Sequence, residues 1–352
     1  MSGPDRLGGD GTLAAEIAPE LIAEQRKLGL AGASPSQLAW RRLKRNRGAL
    51  VGLAAFVLLV AACLAAPLYA DQIAHRGPDD QPGGSETIEI DGEQQLILGL
   101  DGIPIGPTWR GEYLLGADTS GRDVMVRLLY GGLNSLKIGL VAALFTTLMS
   151  IVVGLLAGYF RGWIDAALSF FMNVLWAFPV ILLGIALGVA FAANGFALWG
   201  VQILEAGSLW IPIAVIGFVY IPYLARPIRG EVLALREKEF VEAARAQGMG
   251  SLRIMFSEIL PNVITLLIVF FPLIVANAIL LEAALSFLGA GVQAPNPSWG
   301  TMIEDGVGRI ITAPYLAVVP GAMLVMTVLA LNFFGEGIRD ALDPRAKVKL
   351  ES

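Results

Sequence analysis

Apolar and polar positions along this chain fall in long blocks. Six stretches are oily for long enough to form spanning helices: 49–70, 136–158, 167–192, 209–226, 262–288 and 314–335. A bilayer core of about 30 Å takes roughly 17–25 residues of helix, so each run predicts one crossing. Three polar blocks separate or flank them. Residues 1–39 mix Gly, Pro, Ser and charge, with a short predicted helix near 15–27, and lead into the basic cluster WRRLKRNRG at 40–48. This block has no apolar core of its own, and the run 48–70 that follows is too long and too far in to read as a cleaved signal. Residues 71–135 form the second block. Within it, TIEIDGEQQLIL (87–98) alternates around Asp91-Gly92, the pattern of a hairpin turn. A small partly β insertion and a plain solvated loop both fit. The third block, 227–261, lies between the fourth and fifth runs.

Composition sharpens this into a membrane protein. The chain of 352 residues is 55% hydrophobic and 16% charged, with a mean hydropathy of +0.66. Soluble domains carry about 25% charged residues. One Cys (Cys63) and one His (His75) exclude a disulfide framework, a thiolate or histidine metal cluster and a histidine-based triad within the chain. The net charge of −5 matters less than where the charge sits. Six spans place both termini on one side. With that side cytoplasmic, nineteen Lys and Arg lie inside and six outside. The block 71–135 holds eleven acidic residues against four basic ones, which places it outside, and 227–261 falls inside.

The inner block carries a distinct signal. REKEFVEAARAQ is strongly helix-forming and stops at Gly248 and Gly250, which suit a C-cap. Helical spacing puts Phe240, Ala243, Ala244 and Gln247 on one face, and Glu239, Glu242 and Arg245 on another. The two alanines are small enough for a partner surface to come close. SLRIMFSEILPN then predicts a second helix that bends at Pro261 as it enters the membrane. A merely solvated surface helix fits the composition as well. Away from the ends of the spans, Glu282 is the one charge, joined by Asn173, Asn277 and Asn332. A charge at mid-bilayer costs at least ~2.5 kcal/mol, so Glu282 is a candidate gate or pathway contact, with Asn173 and Asn277 beside it. The alternative is a structural acid hydrogen-bonded to a neighbouring helix or subunit. No G-x4-G-K-[ST], H-E-x-x-H or G-x-S-x-G occurs, and no residue reads as catalytic.

Glu242-Ala243-Ala244, three residues, Gly248, ten residues, then Ile259-Leu260-Pro261 resembles the EAA loop of bacterial ABC importer permeases. Three stretches are similar to the dipeptide/oligopeptide/nickel branch of that family, and to its C-type subunit: LLGADTSGRDVMVRLLYGG (114–132), LEAALSFLGAGVQAPNPSWGTMI (281–303) and FFGEGIRDALDPR (333–345). The chain departs from that branch at Leu133, where a basic residue is usual, and at Asn173, where an acid is usual.

The resemblance implies an all-α membrane protein of the type I importer fold with six transmembrane helices. Its parts are a cytoplasmic tail (1–47), a first span (48–70), an extracytoplasmic insertion (71–135), a permease core (136–340) and a C-terminal tail (341–352). It implies a docking loop at 227–261, in which Glu239, Phe240, Glu242, Ala243, Ala244, Arg245, Gly248, Ile259, Leu260 and Pro261 couple the spans to ATPases. It also implies a second permease subunit, two ABC ATPase subunits, an extracytoplasmic binding protein, peptide substrates and a location in the prokaryotic plasma membrane. No cofactor is expected on this chain; ATP and Mg belong to the ATPases. A self-contained secondary transporter or channel is the competing class. It needs intramembrane ionisable groups and an inverted repeat. A membrane-anchored receptor working through 71–135 is a third.

Overall fold

The computed structural model describes residues 35–82, 86–90, 93–99, 101–198 and 201–343. The helix expected near 15–27 and the turn at Asp91-Gly92 lie outside the described residues. The chain starts with a basic helix α1 (Pro35–Leu43), and Asn46 then caps α2 (Arg47–Leu64) by accepting the Ala49 amide at 3.1 Å. α2 is the first span. It lies against the last helix so closely that a Cβ on Gly337 would come within 2.1 Å of the Ala49 Cβ. Small residues let two spans approach in this way.

The polar insertion after the first span follows a short helix α3 (Ala66–Tyr69) and a π-turn (Ala70–Ala74). Strands β1 (Thr87–Ile90) and β2 (Glu93–Leu96) pair antiparallel, Ile90 opposite Glu93, as the alternation predicts. The second span, α4 (Val124–Tyr159), begins twelve residues before the expected 136 and ends near the expected boundary. Arg127 hid this start. Its charge breaks the apolar run, yet it is 3% exposed, held by Asp79 at 3.3 Å, Asp118 at 3.4 Å and the Pro78 carbonyl at 3.0 Å. Asp123 caps the helix, accepting from Met125 and Val126, and takes the Tyr113 amide at 2.7 Å. Burial raises the Asp123 carboxyl above its usual range, against these amide bonds.

The third run is not one straight helix. It is α5 (Trp163–Ala177) and α6 (Val180–Asn194), bent by 91°. Pro179 cannot donate to the helix ladder and drives Phe178 into an extended conformation (φ −92°, ψ 138°). A hairpin of β3 (Phe196–Leu198) and β4 (Val201–Leu204) follows. Five helices or continuous helical stretches among the described residues are long and apolar enough to span, and six if the bent pair counts as one.

The fourth span comprises α7 (Trp210–Val219) and α8 (Ile221–Leu235), broken at Tyr220. Buried hydroxyls repair the break: Thr146 Oγ1 donates to the Gly217 carbonyl and Ser150 Oγ to that of Ile221, both at 2.9 Å. α8 runs nine residues past the expected end at 226. α9 (Glu239–Ala246) is the short polar helix. α10 (Ser251–Arg253) then runs through a π-turn (Ile254–Ile259) into α11 (Leu260–Phe287). The irregularity expected at Pro261 is thus a widened turn just before it, which absorbs the missing amide without ending the helix. A further helix, α12 (Trp299–Val307), precedes the last span, α13 (Tyr315–Leu342). α4 lies at the centre, packed on α8 and α11.

Candidate functional site

The loop between the fourth and fifth spans is built from three anchors. Arg236 Nη1 donates to the Gly158 carbonyl at the end of α4, at 2.7 Å. Glu237 bridges Arg161 and Arg236, and these two guanidinium groups, Arg161 first, hold its carboxyl below the usual range. Lys238 is extended (φ −85°, ψ 149°), and α9 starts with Glu239 and Glu242 in its first turn, where carboxylates suit the positive helix end.

Val241 and Ala244 turn inward, 0% and 5% exposed, into a cluster with Ile254, Met255 and Ile259. This separates residues grouped together above. Ala244 does not share a free face with Phe240 and Ala243, because an i,i+3 pair at 241 and 244 already forms the buried stripe. The outward residues are Glu239, Phe240, Glu242, Ala243, Arg245, Ala246 and Gln247. Arg245 also places its guanidinium 5.6 Å from the Tyr159 ring. Gly248 closes the helix with φ 79°, donating to the Arg245 carbonyl at 2.9 Å, and the Met249 amide reaches back to Ala244 at 3.1 Å. Only glycine takes that φ without strain. Ile259 is fully buried, Leu260 half-buried and Pro261 exposed, so of these three only Pro261 faces outward.

The intramembrane candidates lie in two places. Glu282 is fully buried towards the C-terminal end of α11. Ser286 donates to its Oε1 at 2.7 Å, and Oε2 has no hydrogen-bond partner among the described residues. Ser135 of α4 and Ser298, just before α12, complete its polar surroundings. Asn173 is exposed on α5 and accepts from Arg226 Nη2 at 3.0 Å. Asn277 is half-buried on α11, and its backbone carbonyl accepts the Tyr220 hydroxyl at 3.3 Å.

The sequence reading missed the charges around Asn173. Asp165 on α5 receives both Nε and Nη2 of Arg229, at 2.7 and 2.8 Å. Arg226 lies 4.7 Å from the Trp176 ring. The signal was present as a spacing of 165, 169, 173 and 176, which follows one helical face.

This geometry defines a polytopic, mostly helical membrane protein that presents a glycine-bounded polar helix at one end of its bundle. Residues 150–348 match the model for the binding-protein-dependent transport system inner membrane component, and residues 34–82 match the N-terminal TM domain of oligopeptide transport permease C. The chain belongs to the family of binding-protein-dependent transport system inner membrane components, and is similar to its C-type permeases. It is 35% identical to the dipeptide transport system permease protein DppC of Alkalihalophilus pseudofirmus, over 89% of this chain and 91% of that one. It is 35% identical to the glutathione transport system permease protein GsiD of Escherichia coli, over 88% and 90%. A putative peptide transport system permease protein of Brucella suis is 34% identical over 90% and 95%. Among solved structures, a chain of the MetNI methionine ABC transporter in an inward-facing conformation is 22% identical, over 62% of this chain and 97% of that one, with a TM-score of 0.49.

Proposed function

We propose that this chain is one of two permease subunits of an ATP-driven importer of short peptides in the prokaryotic plasma membrane. Its termini and α9 face the cytoplasm, and the acidic insertion faces out, in line with the nineteen-to-six distribution of basic residues. The partners are a second permease, two ABC ATPase subunits and an extracytoplasmic binding protein. Peptide substrates, glutathione included, follow from the relatives' names.

The observation that carries this reading is the attachment of α9. Val241 and Ala244 fix it to the core, and Arg236 and Arg245 fix it to the end of α4, while Glu239, Phe240, Glu242 and Ala243 stay outward. A helix so held moves with the spans as one body. An ATPase pressing on the outward residues therefore moves α4, α8 and α11 together. ATP closes the ATPase dimer, α9 follows as a lever, and the cavity between the permeases opens outward to take peptide from the binding protein. Release of hydrolysis products returns it inward. The chain itself makes and breaks no bonds.

The test is co-purification with the candidate ATPases and ATP-dependent uptake of labelled peptide into proteoliposomes. Glu242→Arg should lose coupling or ATPase assembly while the chain still inserts. Undiminished uptake by this variant would remove the docking role. An ion-gradient-driven uptake without any ATPase would favour the secondary-transporter class.

A further inference from the structure

Arg226 and Arg229 sit one turn apart on α8, and their partners on α5 differ in kind. Arg229 is neutralised by two hydrogen bonds to Asp165. Arg226 meets Asn173, an amide, at 3.0 Å, and the Met172 carbonyl at 3.5 Å, both through Nη2. Neither partner carries charge, and no carboxylate pairs with Arg226 among the described residues. The residue lies within a candidate span, about 14 Å short of the Leu235 end of α8. A cation held in a span is costly unless something compensates it.

Aromatic rings continue from this charge. Arg226 lies against Trp176 at 4.7 Å, and Trp176 stacks on Tyr223 with centroids 6.4 Å apart and planes 17° apart. Tyr223 in turn meets Phe270 of α11 at 6.3 Å and Tyr220 at 6.1 Å. Asn173 and Trp176 are exposed, and Arg226, Tyr223 and Phe270 are half-buried. Three helices thus build an open strip with apolar rings at one end and one unneutralised guanidinium at the other.

We propose that this strip is a substrate contact in which Arg226, positioned by Asn173 and Trp176, binds the free carboxylate of the transported peptide. This rests on the peptide-import reading and adds a substrate class to it. The planar guanidinium fork matches a carboxylate with two parallel hydrogen bonds. The rings of Trp176, Tyr223 and Phe270 offer a surface for apolar peptide side chains.

The test uses the full complex in proteoliposomes with one binding protein throughout. Import of a labelled dipeptide and of its C-terminal amide is compared in the wild type, Arg226→Gln, Arg226→Lys and Asn173→Asp. The preference of the binding protein cancels between variants. The ratio of acid to amide import should fall about tenfold in Arg226→Gln, as for one lost charge-assisted hydrogen bond. It should recover in part in Arg226→Lys. It should also fall in Asn173→Asp, where a fixed carboxylate occupies the guanidinium. An unchanged ratio in Arg226→Gln overturns the proposal. So does separation of Arg226→Gln from the second permease, because the missing anion is then a residue of that subunit.

If the wild type imports neither compound, the peptide reading fails and binding decides the site. The readout is the Trp176 fluorescence signal, taken as the difference between wild type and Trp176→Phe, during titration with N-acetylglycine and its amide. A response to the acid alone that Arg226→Gln abolishes upholds a carboxylate site. Equal responses overturn it.

Discussion

Ser286 Oγ lies 2.7 Å from Glu282 Oε1, one helical turn away, and the same oxygen accepts the Val292 amide at 3.0 Å. The hydroxyl therefore spends its proton on the carboxyl and its lone pair on the loop after α11. Two further serines near Glu282 hold amides of the first turn of α12: Ser135 takes that of Trp299 at 3.2 Å, and Ser298 that of Thr301 at 3.2 Å. One buried acid thus fixes the Ser286 hydroxyl, and through it the Val292 amide, with Ser135 and Ser298 close by.

Glu282→Ala should accordingly loosen the loop between α11 and α12 rather than only the helix. It leaves the buried Ser286 hydroxyl short of an acceptor, a cost of about 1–3 kcal/mol, plus a void. The expected outcome is a lower thermal midpoint in detergent and faster proteolysis between α11 and α12. Glu282→Gln keeps an acceptor and should lose less. Wild-type stability and protection in Glu282→Ala would refute the organising role.

The Asp165–Arg229 pair gives a second test. Its bidentate geometry is well formed, and both side chains are less than a third exposed. Asp165→Asn and Arg229→Gln should each destabilise α5 against α8, and a double-mutant cycle should return a coupling of about 1 kcal/mol or more. The charge-swapped double variant should regain part of the loss. Strict additivity of the two single variants would mean that the pair is ornamental.

What was legible beforehand follows from how local each signal is. The eight residues of α9 and its stop at Gly248 were readable because propensity, the acidic first turn and the glycine act within one short stretch. The burial of Val241 was not. Its partners Ile254, Met255 and Ile259 lie beyond the turn, and eight residues are too few for a periodic stripe to stand out. Hydropathy summed over 167–192 passed across Pro179 because both halves are equally oily, so the 91° bend left no mark in it. Arg229 lay outside the expected span because its partner Asp165 is 64 residues earlier, and a charge paired across the bundle looks in sequence like a charge in water. Arg127 ended a run early for the same reason.

The anchor at Glu237 should respond to pH. Its carboxyl is held below the usual range by Arg161 and then Arg236, so the folded state favours the ionised form. That contribution is present above the unfolded carboxyl pKa of about 4.3 and is lost as pH falls through the lower folded value. Amide hydrogen exchange in 236–246, corrected for its intrinsic pH dependence, should therefore quicken below about pH 4. Glu237→Gln should remove this acid-dependent step. An acid response that persists in Glu237→Gln would assign it to another group.

Gly248 separates backbone strain from side-chain clash, because its φ is 79° and no atom lies within 4 Å of where a Cβ would stand. Any penalty for a larger residue thus comes from the left-handed backbone, at about 1–2 kcal/mol. Gly248→Val should pay it in full, since branching at Cβ stiffens the residue further, and Gly248→Asn should pay less. The strain falls where α9 turns back towards α10, so its effect is a frayed helix end and a shifted Met249, with the spans left in place. Under the docking reading, Gly248→Val should insert normally, lose several-fold in ATP-dependent uptake, and be rescued in part by asparagine at the same position. Full uptake with valine would mean that the fixed turn does not transmit force, and that Val241 and Ala244 alone hold the lever.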